Sequence, residues 1–145
     1  MFLDKLTDSE RQILVNLMMI LSMADHRLTL REITHLKNIA SKYNIDLNEP
    51  SHQDNEVELL CKEIQRDCAK TIMLVELIHL ARIDTVYDNA ERQFIENVRS
   101  FFGITKAKLH EIDYWVKDQA AITSRGIKII TCINTIGPGL HKCTS

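Results

Sequence analysis

The sequence predicts an all-α fold, a single domain of two tandem three-helix repeats in which helices 1 and 4 are central. Its first glycine is Gly103, although tight hairpins and phosphate-cradling loops depend on this residue. Apolar residues recur at helical spacing in segments that begin with capping signals. One residue pattern also returns after 84 − 25 = 59 positions, which is typical of a duplicated unit.

Length and composition fit one domain that folds without disulfides. The chain has 145 residues, of which 45% are hydrophobic and 26% are charged, as in ordinary globular proteins. Its 18 Lys and Arg and 20 Asp and Glu give a net charge of −2. Because binding to phosphate backbones needs a strong positive field, we expect no nucleic-acid partner.

The sequence also predicts a cytoplasmic protein. Charged residues interrupt the first eleven positions, where an export signal needs an unbroken apolar run. No stretch of eighteen apolar residues occurs, so no membrane span is expected. The four cysteines form no C-x-x-C pair, which fits a reducing compartment. Cys61 and Cys68 are seven apart, and we expect both as buried thiols on one helix face.

Six helices are predicted, and their boundaries are 8–24, 30–43, 47–66, 69–83, 89–102 and 106–121. Capping boxes or their acidic equivalents mark four starts, at Thr7/Glu10, Thr29/Glu32, Asp46/Glu49 and Asp88/Glu91. The first and fourth helices are apolar nearly all round, so they should lie at the centre. The second and fifth are amphipathic and should pack around that pair.

Aligning residues 13–45 with 72–104 reveals the proposed duplication. Seven positions are identical, namely Ile13/Ile72, Leu21/Leu80, Asp25/Asp84, Glu32/Glu91, Asn38/Asn97, Ser41/Ser100 and Ile45/Ile104. Repeat one is expected at about 8–66 and repeat two at about 67–125, so that 1–125 forms the helical domain.

Residues 126–145 have no counterpart in the predicted repeats and form a C-terminal tail of unknown structure. Within this tail, residues 127–133 are rich in β-branched side chains and have strand propensity. Exposed apolar runs seldom occur in soluble monomers, so we expect the domain itself to cover these residues. A homodimer contact is the alternative.

The two interhelical loops carry the residues that point to chemistry. Each predicted repeat ends its first helix at an aspartate, Asp25 or Asp84, and carries Glu32 or Glu91 seven residues later. An acid at a helix C-terminus costs about 0.3–1 kcal/mol and needs compensation. In one interpretation the aspartates bond the loop backbone and the glutamates complete capping boxes. In the other, these four residues and Asp88 form a metal site for Ca²⁺ or Mg²⁺, which prefer oxygen ligands.

The same loops resemble a known family. The segment from Met23 to Glu32, MADHRLTLRE, is similar to the A-D-G-x-[hydrophobic]-[ST]-x-x-E signature of the TerB-like tellurite-resistance family. The segment from Ile83 to Glu91, followed by Phe102-Gly-Ile, resembles that family's second copy. The resemblance spans about residues 8–120 and implies a duplicated helical fold in the bacterial cytoplasm, a stress-response role, and metal-binding acidic residues. In this sequence His26 and Thr85 stand where the family has glycine.

The sequence contains no G-x-S-x-G or H-E-x-x-H motif, and His26 and His35 lack an adjacent nucleophile pattern. We therefore expect a non-enzymatic TerB-like module that responds to divalent cations or acts as an interaction unit. A divalent cation is the candidate cofactor, and a protein or a second copy of the chain is the candidate partner. The alternative is a protein–protein adaptor whose acidic loop residues only cap helices.

Overall fold

A computed structural model describes residues 2–24, 28–83 and 87–131, and within them it contains helices but no strand. After a 3-10 turn at Leu3–Lys5, the helices are α1 (Asp8–Ser22), α2 (Leu30–Tyr43), α3 (Glu56–Lys62), α4 (Asp67–Ala81), α5 (Asn89–Phe102) and α6 (Lys106–Thr131). The prediction of an all-α fold is thus confirmed for the described residues. None of these six helices is both long and apolar enough to cross a membrane.

The core is centred on α4 and α1. Ten of the fifteen residues of α4 are buried, and eight of the fifteen in α1. Helix α4 packs against α1, α5 and α6, while α1 also contacts α2 and α3. Leu74, Leu77 and Ile78 of α4 are completely buried. Since burying a side chain of this kind contributes about 1.5–3 kcal/mol, the apolar surface of α4 is a principal source of stability.

Two helix pairs match in length and spacing. Helices α1 and α4 have 15 residues each, and α2 and α5 have 14 each. Both helices of the second pair begin and end 59 residues after those of the first, as in 67 − 8 = 59 and 102 − 43 = 59. The interval found in the sequence alignment therefore also separates the ends of the helices.

The ends of α2 and α5 share one backbone geometry. Helix α2 is followed by Asn44 with φ 53°, and α5 by Gly103 with φ 70°. Asn and Gly are the residues that adopt this left-handed conformation most readily. The next residue in each case, Ile45 or Ile104, donates its N–H to a carbonyl five positions earlier. The two helices therefore end in the same way, although their last residues differ.

The third helices do not correspond to the prediction. A helix was expected at 47–66, but residues 45–53 have no regular structure and α3 covers only Glu56–Lys62. Pro50 explains the difference, because a proline disfavours helical geometry in the preceding residue and cannot donate a helical hydrogen bond. The predicted Asp46/Glu49 cap therefore begins no helix. Helix α3 has 7 residues and α6 has 26, so these two elements differ greatly in length.

Helix α6 continues through the first part of the predicted tail. Residues 126–131 are helical, although 127–133 was predicted to have strand propensity. A helix satisfies its backbone hydrogen bonds internally, whereas a lone strand needs a neighbour. The side chains of Ile127, Ile129 and Ile130 are exposed, Ile129 to 81%. The expectation that the domain covers this segment was wrong for residues 127–131, and residues 132–145 lie outside the described part.

The cysteine prediction was correct for only one of two residues. Cys61 in α3 is buried, and this burial raises the pKa of its thiol to about 12. Cys68 is exposed near the start of α4. The chain leaves the helical conformation between Lys62 and Asp67, so the two thiols lie on separate helices. Cys132 and Cys143 lie outside the described residues.

An ion pair joins the starts of α1 and α4. The Glu10 carboxylate accepts the backbone N–H of Thr7 at 2.8 Å and completes the predicted capping box. The same carboxylate accepts two hydrogen bonds from Arg66, at 3.0 Å and 2.5 Å. The Arg66 guanidinium is the main reason why the pKa of Glu10 falls to about 2. The pair connects residues 56 positions apart at the two N-terminal ends of the central helices.

We predict that Glu10→Gln lowers the free energy of unfolding at neutral pH. The pKa of Glu10 is lower in the folded chain than its ordinary value of 4.5, so its contribution is complete above that pH. The difference between wild type and Glu10→Gln should therefore shrink as the pH falls from about 4.5 towards 2. Urea unfolding over this range provides the measurement.

Asp8→Asn is the matched control for this experiment. Asp8 pairs with Arg11 at 2.6 Å, but its side chain is 98% exposed. Exposed ion pairs contribute little, so this variant should unfold nearly like the wild type at every pH. A Glu10→Gln deficit that stays constant from neutral pH down to pH about 2 would contradict the assigned pair.

Candidate functional site

The predicted acidic site lies only partly within the described residues. Glu32, Asp88 and Glu91 are described, whereas Asp25 and Asp84 lie outside the described part. Asp88 is the N-cap of α5, and its Oδ1 accepts the N–H of Glu91 at 2.8 Å. Thr29 caps α2 in the same way, because its Oγ1 accepts the N–H of Glu32 at 3.2 Å. The predicted N-cap interactions of both helices are therefore present.

Glu32 and Glu91 occupy the same position in the two matching helices. Each is the third residue of its helix, and each is buried. Carboxylates are favoured in the first turn of a helix, where the unsatisfied N–H groups carry partial positive charge. Both glutamates thus lie at a helix start next to the loop that contains Asp25 or Asp84. The described residues contain no cluster of three Asp, Glu, His or Cys that could hold a metal ion.

Sequence reasoning missed a buried polar cluster formed by α2 and α4. The rings of His35 and His79 lie with their centres 5.5 Å apart. Glu76, one turn before His79, is 0% exposed, and its Oε1 accepts the N–H of Phe2 at 2.9 Å. The Nε2 of His35 is buried and has no hydrogen-bond partner within the described segments. Burial lowers the pKa of both histidines, the His79 charge lowers that of His35 further, and the Glu76 charge opposes both shifts.

The only sequence signal for this cluster was the pair Glu76 and His79 in an otherwise apolar helix. Residues three apart on a helix lie on one face, so their proximity follows from the spacing. His35 is 79 − 35 = 44 positions earlier, and no local pattern connects it to that pair. The arrangement can titrate with pH, because two neighbouring imidazoles resist protonation in a buried setting.

A second feature that the sequence did not reveal is a cleft between α5 and α6. Both helices pack on α4, and the cleft between them has a volume of about 550 Å³. This value lies in the usual range for ligand sites. Buried Ile78 and Ile95, with the partly buried Leu109, supply its apolar lining. Its charged lining residues are Arg92, Glu96, Lys106 and Asp113, accompanied by His110.

We predict that acidification destabilises the protein through His35 and His79. Their pKa values in the fold lie below the ordinary value of 6.5, so the unfolded chain takes up protons first as the pH falls. The free energy of unfolding should therefore decrease below pH 6.5, and the double variant His35→Gln/His79→Gln should reduce this decrease.

Urea unfolding between pH about 7.5 and 5 measures the effect. The control variant is His52→Asn, since His52 is exposed, has φ 60°, and asparagine tolerates that conformation. The control should keep the wild-type pH dependence. Equal pH dependence in the wild type and the double variant would contradict the role of the pair.

Comparison with known proteins found no matching family model, no similar curated protein and no similar solved structure. The resemblance of the two loop segments to the TerB-like family therefore stays a prediction. Function is argued below from the described residues and their geometry.

Proposed function

We propose that the chain is a non-enzymatic, TerB-like module that binds a divalent cation and acts as an interaction unit in a bacterial stress response of the tellurite-resistance type. The candidate ligands are Asp25, Glu32, Asp84, Asp88 and Glu91. The proposal includes a duplicated origin for the two halves of the chain. Its main support is the equivalent placement of buried Glu32 and Glu91 at the starts of α2 and α5.

The matching helix boundaries support the duplication. Four boundaries recur after 59 residues, and so do the left-handed caps at Asn44 and Gly103. Chance similarity between amphipathic helices would not require the same lengths, the same interval and the same chain reversal together. We propose that the duplicated unit comprises at least the two matching helices and the acidic loop between them, with the third helices as divergent parts.

The chemistry of the acidic residues supports a hard cation as ligand. Carboxylate oxygens prefer Ca²⁺ or Mg²⁺ to softer metals. A cation that binds only the folded protein raises its free energy of unfolding by RT ln(1 + [L]/Kd), which is about 2.7 kcal/mol at 100 times the Kd. Cation binding at the loops would thus stabilise the contacts that each loop makes between consecutive helices.

We predict that millimolar Ca²⁺ or Mg²⁺ raises the melting temperature of the wild type and that Asp25→Asn/Asp84→Asn abolishes this rise. The substitution keeps the side-chain shape and removes the charge that the cation needs. Thermal unfolding with and without each ion, after treatment with a chelator, provides the measurement. Glu32→Gln/Glu91→Gln should have the same effect on the ion-dependent part.

Glu10→Gln is a matched control, because Glu10 also occupies the third position of a capped helix but interacts with Arg66. This variant should melt lower in both conditions and keep the full increase with metal. A wild-type melting temperature that ignores both ions would overturn the cation proposal. An equal increase in the Asp25→Asn/Asp84→Asn variant would place the bound cation elsewhere.

The exposed surface of α6 favours a second candidate function, a protein–protein adaptor whose acidic residues only cap helices. Trp115, Ile122 and Ile129 follow each other at intervals of seven residues and so lie along one helix face. All three are exposed in the described part of the chain. Apolar surface of this kind often marks an interface. The interaction partner in this case is a second copy or another protein.

For the adaptor function we predict that the wild type self-associates and that Ile129→Glu shifts it to monomer. A buried charge without a partner is costly, so glutamate would disrupt an apolar interface. Folding should be unaffected, because Ile129 is 81% exposed. Sedimentation velocity measures the mass in solution, and Ser124→Glu adds the same charge at another exposed position of α6. A wild type that is monomeric at all accessible concentrations would contradict self-association.

A further inference from the structure

We propose that the cleft between α5 and α6 binds a small organic anion with an apolar body, such as an aromatic carboxylate or a phosphate monoester. This inference goes beyond the proposed function, because none of the five acidic loop residues lines the cleft. It depends on the shape of the cleft, the pairing of its carboxylates, and the basic groups that this pairing leaves available.

The apolar part of the cleft results from how the helices meet. Helices α5 and α6 are joined by only residues 103–105, and both pack on α4. Ile78 of α4, Ile95 of α5 and Leu109 of α6 line the cleft, and Tyr87 adds an aromatic wall. The volume of about 550 Å³ suits a ligand the size of a substituted benzene ring with its polar group.

The two carboxylates that line the cleft are already paired with arginines. Asp113 accepts hydrogen bonds from Nε and Nη2 of Arg82, both at 2.9 Å. Glu96 accepts two bonds from Arg99, at 3.0 Å and 2.6 Å, and this interaction lowers the pKa of Glu96. Bidentate pairs of this kind neutralise the carboxylates within the protein. Neither acid is therefore available to bind a cationic ligand in the cleft.

The basic groups of the cleft are not paired to the same extent. Lys106 acts on Glu96 electrostatically, but its Nζ makes no hydrogen bond within the described residues. Arg92 donates its Nε to the carbonyl of Tyr87 at 3.2 Å, which leaves its terminal nitrogens without an acceptor in the described part of the chain. The exposed imidazole of His110 adds a third donor at the rim. The cleft therefore has a surplus of donors and of positive charge.

Arg92 is held in place before any ligand arrives. Its guanidinium lies 4.1 Å from the centre of the Tyr87 ring, and that of Arg82 lies 5.0 Å from it. Burial raises the pKa of Tyr87 to about 12, so the ring stays neutral at physiological pH. A positioned guanidinium loses less conformational entropy on binding. Its planar fork also matches the geometry of carboxylate and phosphate groups.

This chemistry is present in only one half of the chain. At the interval of 59 residues, Arg92 corresponds to Ile33, Lys106 to Leu47, and His110 to Ser51. The first half thus lacks all three basic groups at the matching positions. The proposed site therefore binds one ligand per chain.

Phenyl phosphate is the probe for this proposal, with inorganic phosphate and benzyl alcohol as partial analogues. The full chain is titrated in metal-free buffer while amide resonances are followed by NMR. We expect saturable shifts at Gln93, Leu109 and His110 with one phenyl phosphate per chain, and weaker binding of both analogues. No saturable shift at millimolar phenyl phosphate would overturn the proposal. Inorganic phosphate that binds equally tightly would refute the apolar contribution, and benzyl alcohol that does so would refute the charge contribution.

The double variant Arg92→Gln/Lys106→Gln should weaken phenyl phosphate binding about tenfold or more, because it removes charge-assisted hydrogen bonds. Arg31→Gln/Lys117→Gln removes the same charges from exposed positions outside the cleft and should keep the wild-type affinity. Circular dichroism checks that both variants fold. Unchanged affinity in the cleft variant would overturn the proposed site. Asp25 and Asp84 are intact in these experiments and no metal is present, so the outcome is independent of the cation proposal.

Discussion

Helix α4 is apolar on every side, and such a helix is stable in a small protein only when other helices surround it. Its neighbours α1, α5 and α6 meet this requirement from different directions. The positions of the acidic loop and the cleft follow from that arrangement. The loop joins α4 to α5, and the cleft remains where α5 and α6 diverge above their shared support. Glu76 is the exception inside this helix, and the backbone N–H of Phe2 provides one of its contacts.

Ion pairs fix the two ends of α4, where its apolar surface gives less positional information. At the N-terminal end, Arg66 bonds Glu10 of α1. At the C-terminal end, Arg82 bonds Asp113 of α6 with both carboxylate oxygens. Apolar contacts are non-directional, whereas bidentate hydrogen bonds require one geometry. The pair at Asp113 also decides the electrostatics of the cleft, because it removes a negative charge that would otherwise repel an anion.

The two halves of the chain agree in their first two helices and differ in the surfaces that those helices present. Both halves place a buried glutamate at the start of the second helix. Only the second half has a tyrosine wall and basic residues beside a long following helix. Helix α6, at about 39 Å, also overruns α4, at about 22 Å, and this difference in length leaves its C-terminal isoleucines exposed. Equivalent frameworks thus carry different surfaces.

The sequence by itself determined the helical class, the interval of 59 residues and the N-caps at Thr29 and Asp88, because all depend on neighbours within a few positions. It did not predict the break at Pro50 or the continuation of α6, since the strand propensity of residues 127–131 competed with a helix already under way. Only the tertiary structure decided that His35 contacts His79 and that Arg82 bonds Asp113. Those partners lie 44 and 31 positions apart, and packing around α4 brings them together without any pattern in the local sequence.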